Sequence, residues 1–328
     1  MTATKMTMAQ SINAALRDAM TADESVLVFG EDVGPLGGVF RVTDGLTETF
    51  GEQRCFDTPL AESGIVGMAI GMAMNGMRPV VEMQFDAFAY PAFEQIVSHA
   101  AKMANRTRGK LRLPLVIRIP YAGGIGGVEH HCDSSEAYYA HTPGLTVLAP
   151  ATNADAYGLL RAAIESPDPV IFLEPKKHYF SKEEVDLEVA VPPIGRAVVR
   201  RSGRDATLIA YGPSVPIALA AARQGAAEGR DIGVVDVRSI VPFDDETVAN
   251  AVRATGRAVV VAEAPGFASV ASEIAARVTE RCFHYLEAPV RRVTGFDIPY
   301  PPPKLERHFL PGVNRILDAV DELQWEDA

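Results

Sequence analysis

Short apolar runs of strand length recur along this chain with segments of helical periodicity between them, and that alternation restricts the fold more than any other property. Val26-Leu27-Val28-Phe29, Pro79-Val80-Val81-Glu82-Met83, Leu115-Val116-Ile117-Arg118-Ile119, Thr146-Val147-Leu148-Ala149 and Val170-Ile171-Phe172-Leu173 are the expected strands of the first half. Helices are expected over 8–20, 63–74, 90–103 and 154–165. Strands that are apolar throughout are buried on both faces, so a mainly parallel sheet covered by helices follows. The pattern restarts later, with strands at 206–210, 232–237, 258–262 and 290–293 and helices at 215–227, 245–254 and 269–281. Between the halves, 181–191 turns acidic and loses periodicity, and Pro192-Pro193 follows, the composition of a linker. The expected organisation is an α/β unit over 1–180, a linker over 181–193 and a smaller α/β unit over 194–328. Tyr300-Pro301-Pro302-Pro303 forces an extended segment before a last helix over 313–323.

A chain of 328 residues has enough surface to bury for two cores without staples. Its net charge of −11, with both signs mixed along the chain, argues against nucleic acid, which would want a basic face. Three cysteines, Cys55, Cys132 and Cys282, are odd in number and far apart, so neither a disulfide framework nor a zinc finger is indicated. The longest nearly uncharged apolar run, 63–74, is too short to span a bilayer, and 1–10 has no apolar segment. A soluble, cytoplasmic protein that is not exported is expected.

Candidate chemistry gathers where expected strands end, the place where open α/β sheets put their ligands. Cys55-Phe56-Asp57-Thr58-Pro59-Leu60-Ala61-Glu62 runs from a strand through a proline turn to a helix with one charged side chain, Glu62, at its head. Such a glutamate is either a functional acid or a cap favoured by the helix dipole. Gly64, Gly67 and Gly71 recur at helical spacing beyond it; a helix that tolerates them needs something packed very close, another backbone or a second subunit. Gln84-Phe85-Asp86-Ala87-Phe88-Ala89-Tyr90-Pro91 supplies aromatics that either stack on a planar ring or fill the core. After the strand ending at Ile119, Gly123-Gly124-Ile125-Gly126-Gly127 leads to Glu129-His130-His131-Cys132-Asp133, a solvated loop or a proton-shuttling one. A zinc reading of His130, His131, Cys132 and Asp133 is weakened because neighbouring side chains on one extended loop point apart. The 30–38 loop lacks the spacing of a G-x-G-x-x-G fingerprint, which weakens a nicotinamide-binding oxidoreductase. Three strand ends carrying an acid, an aromatic cluster and histidines converge on one rim, and convergence favours a site.

Gly30-Glu31-Asp32-Val33, Asp57-Thr58-Pro59-Leu60-Ala61-Glu62, Gln84-Phe85 with Pro91-Ala92-Phe93-Glu94-Gln95, His141-Thr142-Pro143-Gly144-Leu145 and Arg292-Val293-Thr294-Gly295 resemble, nearly end to end, the β subunit of the thiamine-diphosphate-dependent E1 component of 2-oxoacid dehydrogenase complexes. The resemblance implies a transketolase-like pyrimidine-binding domain with a mainly parallel sheet, then a smaller α/β C-terminal domain. It implies that Glu62 hydrogen-bonds the aminopyrimidine ring of the cofactor and promotes loss of the thiazolium proton. Leu60, Gln84 and Phe88 would contact the cofactor, Phe88 lying against the pyrimidine. His131 would assist acyl transfer to a lipoyl group, with His130 adjacent. A potassium site made largely of backbone oxygens would fall on Leu115, Ala163, Ile164, Ser166 and Asp168, where Ser166 replaces an acidic residue of relatives.

Thiamine enzymes hold magnesium and diphosphate with a Gly-Asp-Gly segment, which is absent from this sequence. The resemblance therefore assigns those groups to an α subunit, in an α2β2 heterotetramer with the cofactor at the α/β interface, and assigns the acyl group to a lipoylated E2. The second domain, with its 301–303 segment, resembles the part that docks E2. The Gln84-Phe85, 91–95 and Ser135-Glu136-Ala137 wording looks closer to branched-chain enzymes, favouring a branched-chain 2-oxoacid over pyruvate or acetoin. A non-catalytic assembly module is the remaining alternative.

Overall fold

The computed structural model describes residues 3–323; the ends of the two expected units, 1–2 and 324–328, lie outside the described residues. Strands in chain order are β1 (Thr4–Thr7), β2 (Val26–Gly30), β3 (Cys55–Asp57), β4 (Arg78–Glu82), β5 (Val116–Tyr121), β6 (Thr146–Leu148), β7 (Val170–Pro175), β8 (Lys182–Val185), β9 (Val198–Arg201), β10 (Ala206–Ala210), β11 (Ile232–Asp236), β12 (Ser239–Val241), β13 (Ala258–Pro265) and β14 (Arg291–Gly295). Seven of them form the larger sheet, in the order β12-β6-β7-β5-β4-β2-β3, and five form the smaller, in the order β14-β13-β10-β11-β9. Within each sheet every pairing is parallel except at one edge, where β12 on β6 and β9 on β11 are antiparallel. Two mainly parallel sheets are what the uninterrupted apolar runs dictate: β2, β5, β7, β10 and β11 are buried at every position.

The helices between strands start where local chemistry lets them. Thr7 and Gln10 form a reciprocal capping box for the Met8–Ala22 helix, Thr152 caps Asn153–Glu165 and Asp244 caps Asp245–Thr255. The first two of these pack together against one face of the larger sheet, with Ile12, Leu16, Leu159 and Leu160 in their shared core. The opposite face is covered by the Glu62–Met74 helix, and the core there is continuous with that of the smaller sheet, running from Val81 and Ile117 to Val235 and Val260.

Three elements differ from the sequence expectation. The acidic stretch read as the beginning of a linker opens with β8, which pairs antiparallel with β1 from Thr4↔Val185 to Thr7↔Lys182; such polar, mostly uncovered strands carry no apolar run to announce them. Strand β12 leaves the second half to close the edge of the first sheet. The helix expected over 90–103 is a succession of tighter and wider turns, Ala87–Ala92 and Ala100–Lys102 as 3-10 helix and Gln95–His99 as π-helix, with α-helix at 93–94 and at Met103–Arg106. Pro91, inside the first turn, removes a donor the regular ladder would need. Among the described residues no helix is long and apolar enough to cross a membrane.

Candidate active site

Strands β5, β4, β2 and β3 are neighbours running the same way, so the loops that leave their carboxyl ends share one rim. Glu31 and Asp32 follow β2, Leu60 and Glu62 follow β3, Gln84 to Phe88 follow β4, and His130 and His131 sit on the single turn Glu129–Cys132 that follows β5. The structure thus brings the sequence-derived residues Leu60, Glu62, Gln84, Phe88 and His131 to the edges of four adjacent strands. Several local bonds set that edge. Asp57 Oδ1 accepts from the Gly34 amide at 2.6 Å, Thr58 N donates to Gly30 O at 2.9 Å, and Gln84 Nε2 donates to Asp32 Oδ2 at 2.9 Å. Gln84 therefore ties the β2 loop to the β4 loop.

Glu62 begins its helix as expected and is 8% exposed, whereas Leu60, two residues earlier, is 79% exposed. Beside Glu62 lies a second acid that the sequence reading quoted only as part of a motif. Glu31 is buried, its Oε1 has no hydrogen-bond partner, and burial followed by the neighbouring charges of Glu62 and Asp32 raises its proton affinity. The rule that singled out Glu62, an acid just past an apolar strand, applies equally to Glu31 after 26–30.

Phe85, Phe88 and His131 make a cluster of three rings, each pair edge to face, with centroids 5.5 Å apart for Phe85 and Phe88, 4.5 Å for Phe85 and His131 and 5.4 Å for Phe88 and His131. Phe88 and His131, which follow different strands, meet in that contact. Behind the rings is a polar interior invisible in the sequence. Lys176 is 2% exposed, its Nζ has no hydrogen-bond partner and lies 5.8 Å from the Phe85 ring centre, and burial lowers its proton affinity. Asp86 is fully buried with Oδ2 unpartnered, and burial pushes its carboxyl well up although Lys176 opposes that shift. Tyr90 donates to Asp133 Oδ2 at 2.9 Å.

No group of three or more His, Cys, Asp or Glu side chains among the described residues is arranged to hold a metal ion. Cys132, part of the zinc reading, instead faces inward against Tyr300, Phe309 and Leu310, and burial pushes its thiol up to about 11. The positions expected for potassium lie at the opposite end of the larger sheet from Glu62, around the start of β5 and the loop before β7. Their oxygens are already engaged. Leu115 O accepts from Val170 N, Ala163 O from Ser166 N, and Ile164 O and Ser166 O from Arg78 Nη1 at 2.8 and 3.2 Å. The Asp168 carboxylate takes both its bonds from Arg112. With two guanidinium groups seated there, the set does not fit a cation cage, and no step is drawn through potassium.

Gly64, Gly67 and Gly71 are not closely packed by their own chain. A Cβ on Gly71 would meet nothing within 4 Å, and one on Gly64 or Gly67 would meet only Ala61 Cβ at 3.7 Å or Gln95 Oε1 at 3.8 Å. Together with the exposed Met68 and Met74 they leave an apolar strip of this helix uncovered beside Glu62.

Comparison with known proteins identifies the family and the fold. Residues 4–182 match the family described as the transketolase pyrimidine-binding domain, and residues 195–316 match the transketolase C-terminal domain. The chain is 54% identical over 320 residues to the 3-methyl-2-oxobutanoate dehydrogenase subunit beta of Mycobacterium tuberculosis, covering 97% of this chain and 92% of that one. It is 55% identical over 314 residues to the pyruvate dehydrogenase E1 component subunit beta of Leifsonia xyli subsp. xyli, covering 96% and 93%. The 2-oxoisovalerate dehydrogenase subunit beta of Bacillus subtilis is 45% identical over 321 residues, covering 97% and 98%. Among solved structures, a chain of a split-gene transketolase, described as an inactive beta4 tetramer, superposes with a TM-score of 0.79 over 97% of this chain and 98% of its own, at 24% identity, a likeness of fold.

Proposed function

The chain belongs to the family of E1 β subunits of 2-oxoacid dehydrogenases, built from a transketolase pyrimidine-binding and a transketolase C-terminal domain, and from that premise we propose that it supplies the proton-handling half of an active site for branched-chain 2-oxoacids. The observation that carries the reading is the pairing of Glu62 with Glu31 at adjacent strand ends, next to the Phe85, Phe88 and His131 rings.

The residues present fit thiamine diphosphate, because Glu31 Oε1 is a buried acceptor without a partner and Leu60 projects uncovered from the same rim. When bound, the cofactor supplies the nucleophilic carbon that adds to the 2-oxo group and takes up the electrons left by departing carbon dioxide. Glu62 holds a proton at the aminopyrimidine ring, and Leu60, Gln84 and Phe88 orient that ring. Glu31, whose proton affinity burial and the Glu62 charge raise, is the second proton-binding group at that rim. His131, held by two aromatic edges, serves the transfer of the acyl group to lipoamide on E2, opening of whose disulfide requires a proton at the leaving sulfur. Magnesium and diphosphate fall to an α subunit, and the uncovered strip Gly64, Met68, Gly71, Met74 is the surface it would cover in an α2β2 heterotetramer.

Near-equal identity to relatives of both specificities, 54% and 55%, does not distinguish substrates; the wording of 84–95 favours branched-chain acids. The test is reconstitution with the α subunit, thiamine diphosphate and magnesium, followed by steady-state rates on 3-methyl-2-oxobutanoate and pyruvate. A higher kcat/KM for the branched acid is expected, and Glu62→Gln should lower turnover by about 100-fold or more with assembly intact. A preference for pyruvate would overturn the substrate, and absence of turnover on either acid the activity.

A further inference from the structure

Between β5 and the turn bearing His130 and His131 the chain makes a glycine loop that forms no ladder of its own, so its amides need partners from elsewhere. They find them at the far end of the sequence. Gly124 N and Gly126 N donate to Glu306 Oε1 at 3.0 and 3.2 Å, and the Tyr300 hydroxyl donates to the same oxygen at 2.7 Å. Gly124 N also approaches the Tyr300 hydroxyl at 3.3 Å, and Gly123 N donates to Glu263 Oε2, on β13 of the smaller sheet, at 3.1 Å. The other end of the loop is held by apolar contact. Cys132, adjacent to His131, is buried in a small cluster of its own with Tyr300, Phe309 and Leu310.

The fit leaves the loop little freedom. A Cβ on Gly123 would sit 2.0 Å from the Tyr300 hydroxyl, and one on Gly124, whose φ is +89°, would sit 2.4 Å from Lys177 Cδ. Glu306 lies on the short helix Pro303–Phe309, and the prolines ahead of it, Pro301 and Pro302, fix the path by which Tyr300 and Glu306 reach the loop. Gly124 and Glu306 are 182 residues apart in sequence, so none of this is local.

We propose that Tyr300 and Glu306 are positioning residues: the 300–310 segment clamps both ends of the histidine loop and so fixes where His131 stands. The proposal rests on the reading of His131 as the group that serves acyl transfer. The clamp touches neither Glu62 nor Phe88, so its release should affect the acyl-transfer half of the reaction and spare decarboxylation.

The experiment uses the complex reconstituted with its α subunit, comparing the unmodified chain with Glu306→Ala, Glu306→Gln and Tyr300→Phe. Hydrogen exchange of the peptide covering 121–132 should accelerate about tenfold or more in Glu306→Ala while β5 and β13 keep their protection, since charge-assisted bonds to two amides are lost. Reductive acylation of a free lipoyl domain should fall about tenfold, and decarboxylation with an artificial electron acceptor should change less than about twofold. Glu306→Gln, which keeps an acceptor oxygen, should recover most of the acylation rate. Unchanged exchange in the loop, or equal losses in both half-reactions, would overturn the clamp. Should Glu306→Ala fail to assemble, Tyr300→Phe carries the same comparison, because it removes one hydroxyl and leaves the packing. An unmodified complex without decarboxylation would sink the functional reading, while the exchange measurement still decides the clamp.

Discussion

Arg118 and Glu174 form a bidentate ion pair between the parallel neighbours β5 and β7, Nε to Oε1 at 2.7 Å and Nη2 to Oε2 at 2.9 Å, with neither side chain exposed. The remaining guanidinium nitrogen, Nη1, reaches Glu82 Oε2 on β4 at 2.7 Å, and Tyr179 donates to Glu174 Oε2 at 2.5 Å. One cation between two buried carboxylates leaves a net negative charge, and burial raises the proton affinity of Glu82 against the pull of Arg118. This arrangement is linked to the loop that follows β2, since the Tyr179 ring packs at a tilt on Phe40 with centres 4.8 Å apart and Phe40 meets Phe85 edge to face at 5.6 Å.

Removing the cation should be far worse than removing the phenol. Arg118→Met strands two buried carboxylates and should cost roughly 3–5 kcal/mol, whereas Tyr179→Phe should cost about 1–2 kcal/mol. Urea midpoints of the two variants measure the difference. Comparable small losses for both would mean that the carboxylates simply take up protons.

Glu136 belongs to the 135–137 run whose wording favoured branched-chain substrates, but its carboxylate is bonded to the second unit. It is 1% exposed, accepts from the Tyr211 hydroxyl of the second unit at 2.8 Å, and has Oε2 unpartnered. Burial pushes it up to about 7 from an ordinary 4.5. A raised carboxyl binds its proton more tightly in the folded chain, so its contribution is complete below about pH 4.5 and is lost as pH rises through 7. Glu136→Gln should therefore leave stability unchanged near pH 4.5 and raise it by up to roughly 3 kcal/mol at pH 8. Thermal melts across that range check it, and a gain independent of pH would show that the charge is not the cause.

The central strands of both sheets were legible because burial on both faces leaves only apolar residues, as in 26–29 or 170–173, whereas the edge strand β9 was not. The argument that ligands gather at strand ends brought Glu62, the 84–91 aromatic stretch and the histidines to one rim, whereas the roles of Leu60, Gln84, Phe88 and His131 came from the family resemblance. What was not legible is what depends on contacts far apart in sequence. Strands β1 and β8 stabilise each other through backbone pairing of polar residues, β12 is three residues long and borrowed by the other sheet, and nothing local announces that Lys176 and Asp86 are buried. Tyr300 was read only as the start of an extended proline segment and Glu306 not at all, since nothing local announces a carboxylate bonded to a glycine loop.

Gly144 in the His141-Thr142-Pro143-Gly144-Leu145 motif has a structural explanation. Its φ is +104°, and a Cβ there would lie 2.0 Å from the backbone oxygen of Ala101. The adjoining Pro143 O accepts from Lys102 Nζ at 3.0 Å, so the turn is pinned against the irregular 87–106 segment. Backbone cannot yield as a flexible side chain can, and the left-handed conformation adds its own strain. Gly144→Ala should cost about 2 kcal/mol or more, read as a lowered melting temperature, and residual folded enzyme should keep its KM. A change in KM at unaltered stability would instead place the motif in substrate binding.

Glu31 and Glu62 share the rim, and after burial the charge of Glu62 is the next cause that raises the proton affinity of Glu31. The sign of the consequence follows. Glu31 favours folding while it holds its proton, and that contribution is lost as pH rises through its raised pKa. Glu31→Gln should therefore stabilise the chain at pH 8 more than at pH 4, and the gain should shrink when Glu62 is already glutamine, because the Glu62 charge no longer opposes ionisation of Glu31. A double-mutant cycle at pH 8 should give a coupling on the order of 0.5–1 kcal/mol that vanishes near pH 4. Additive effects at both pH values would mean that the two carboxylates do not sense each other, and the acid kept neutral beside Glu62 would then have to be sought on the α subunit.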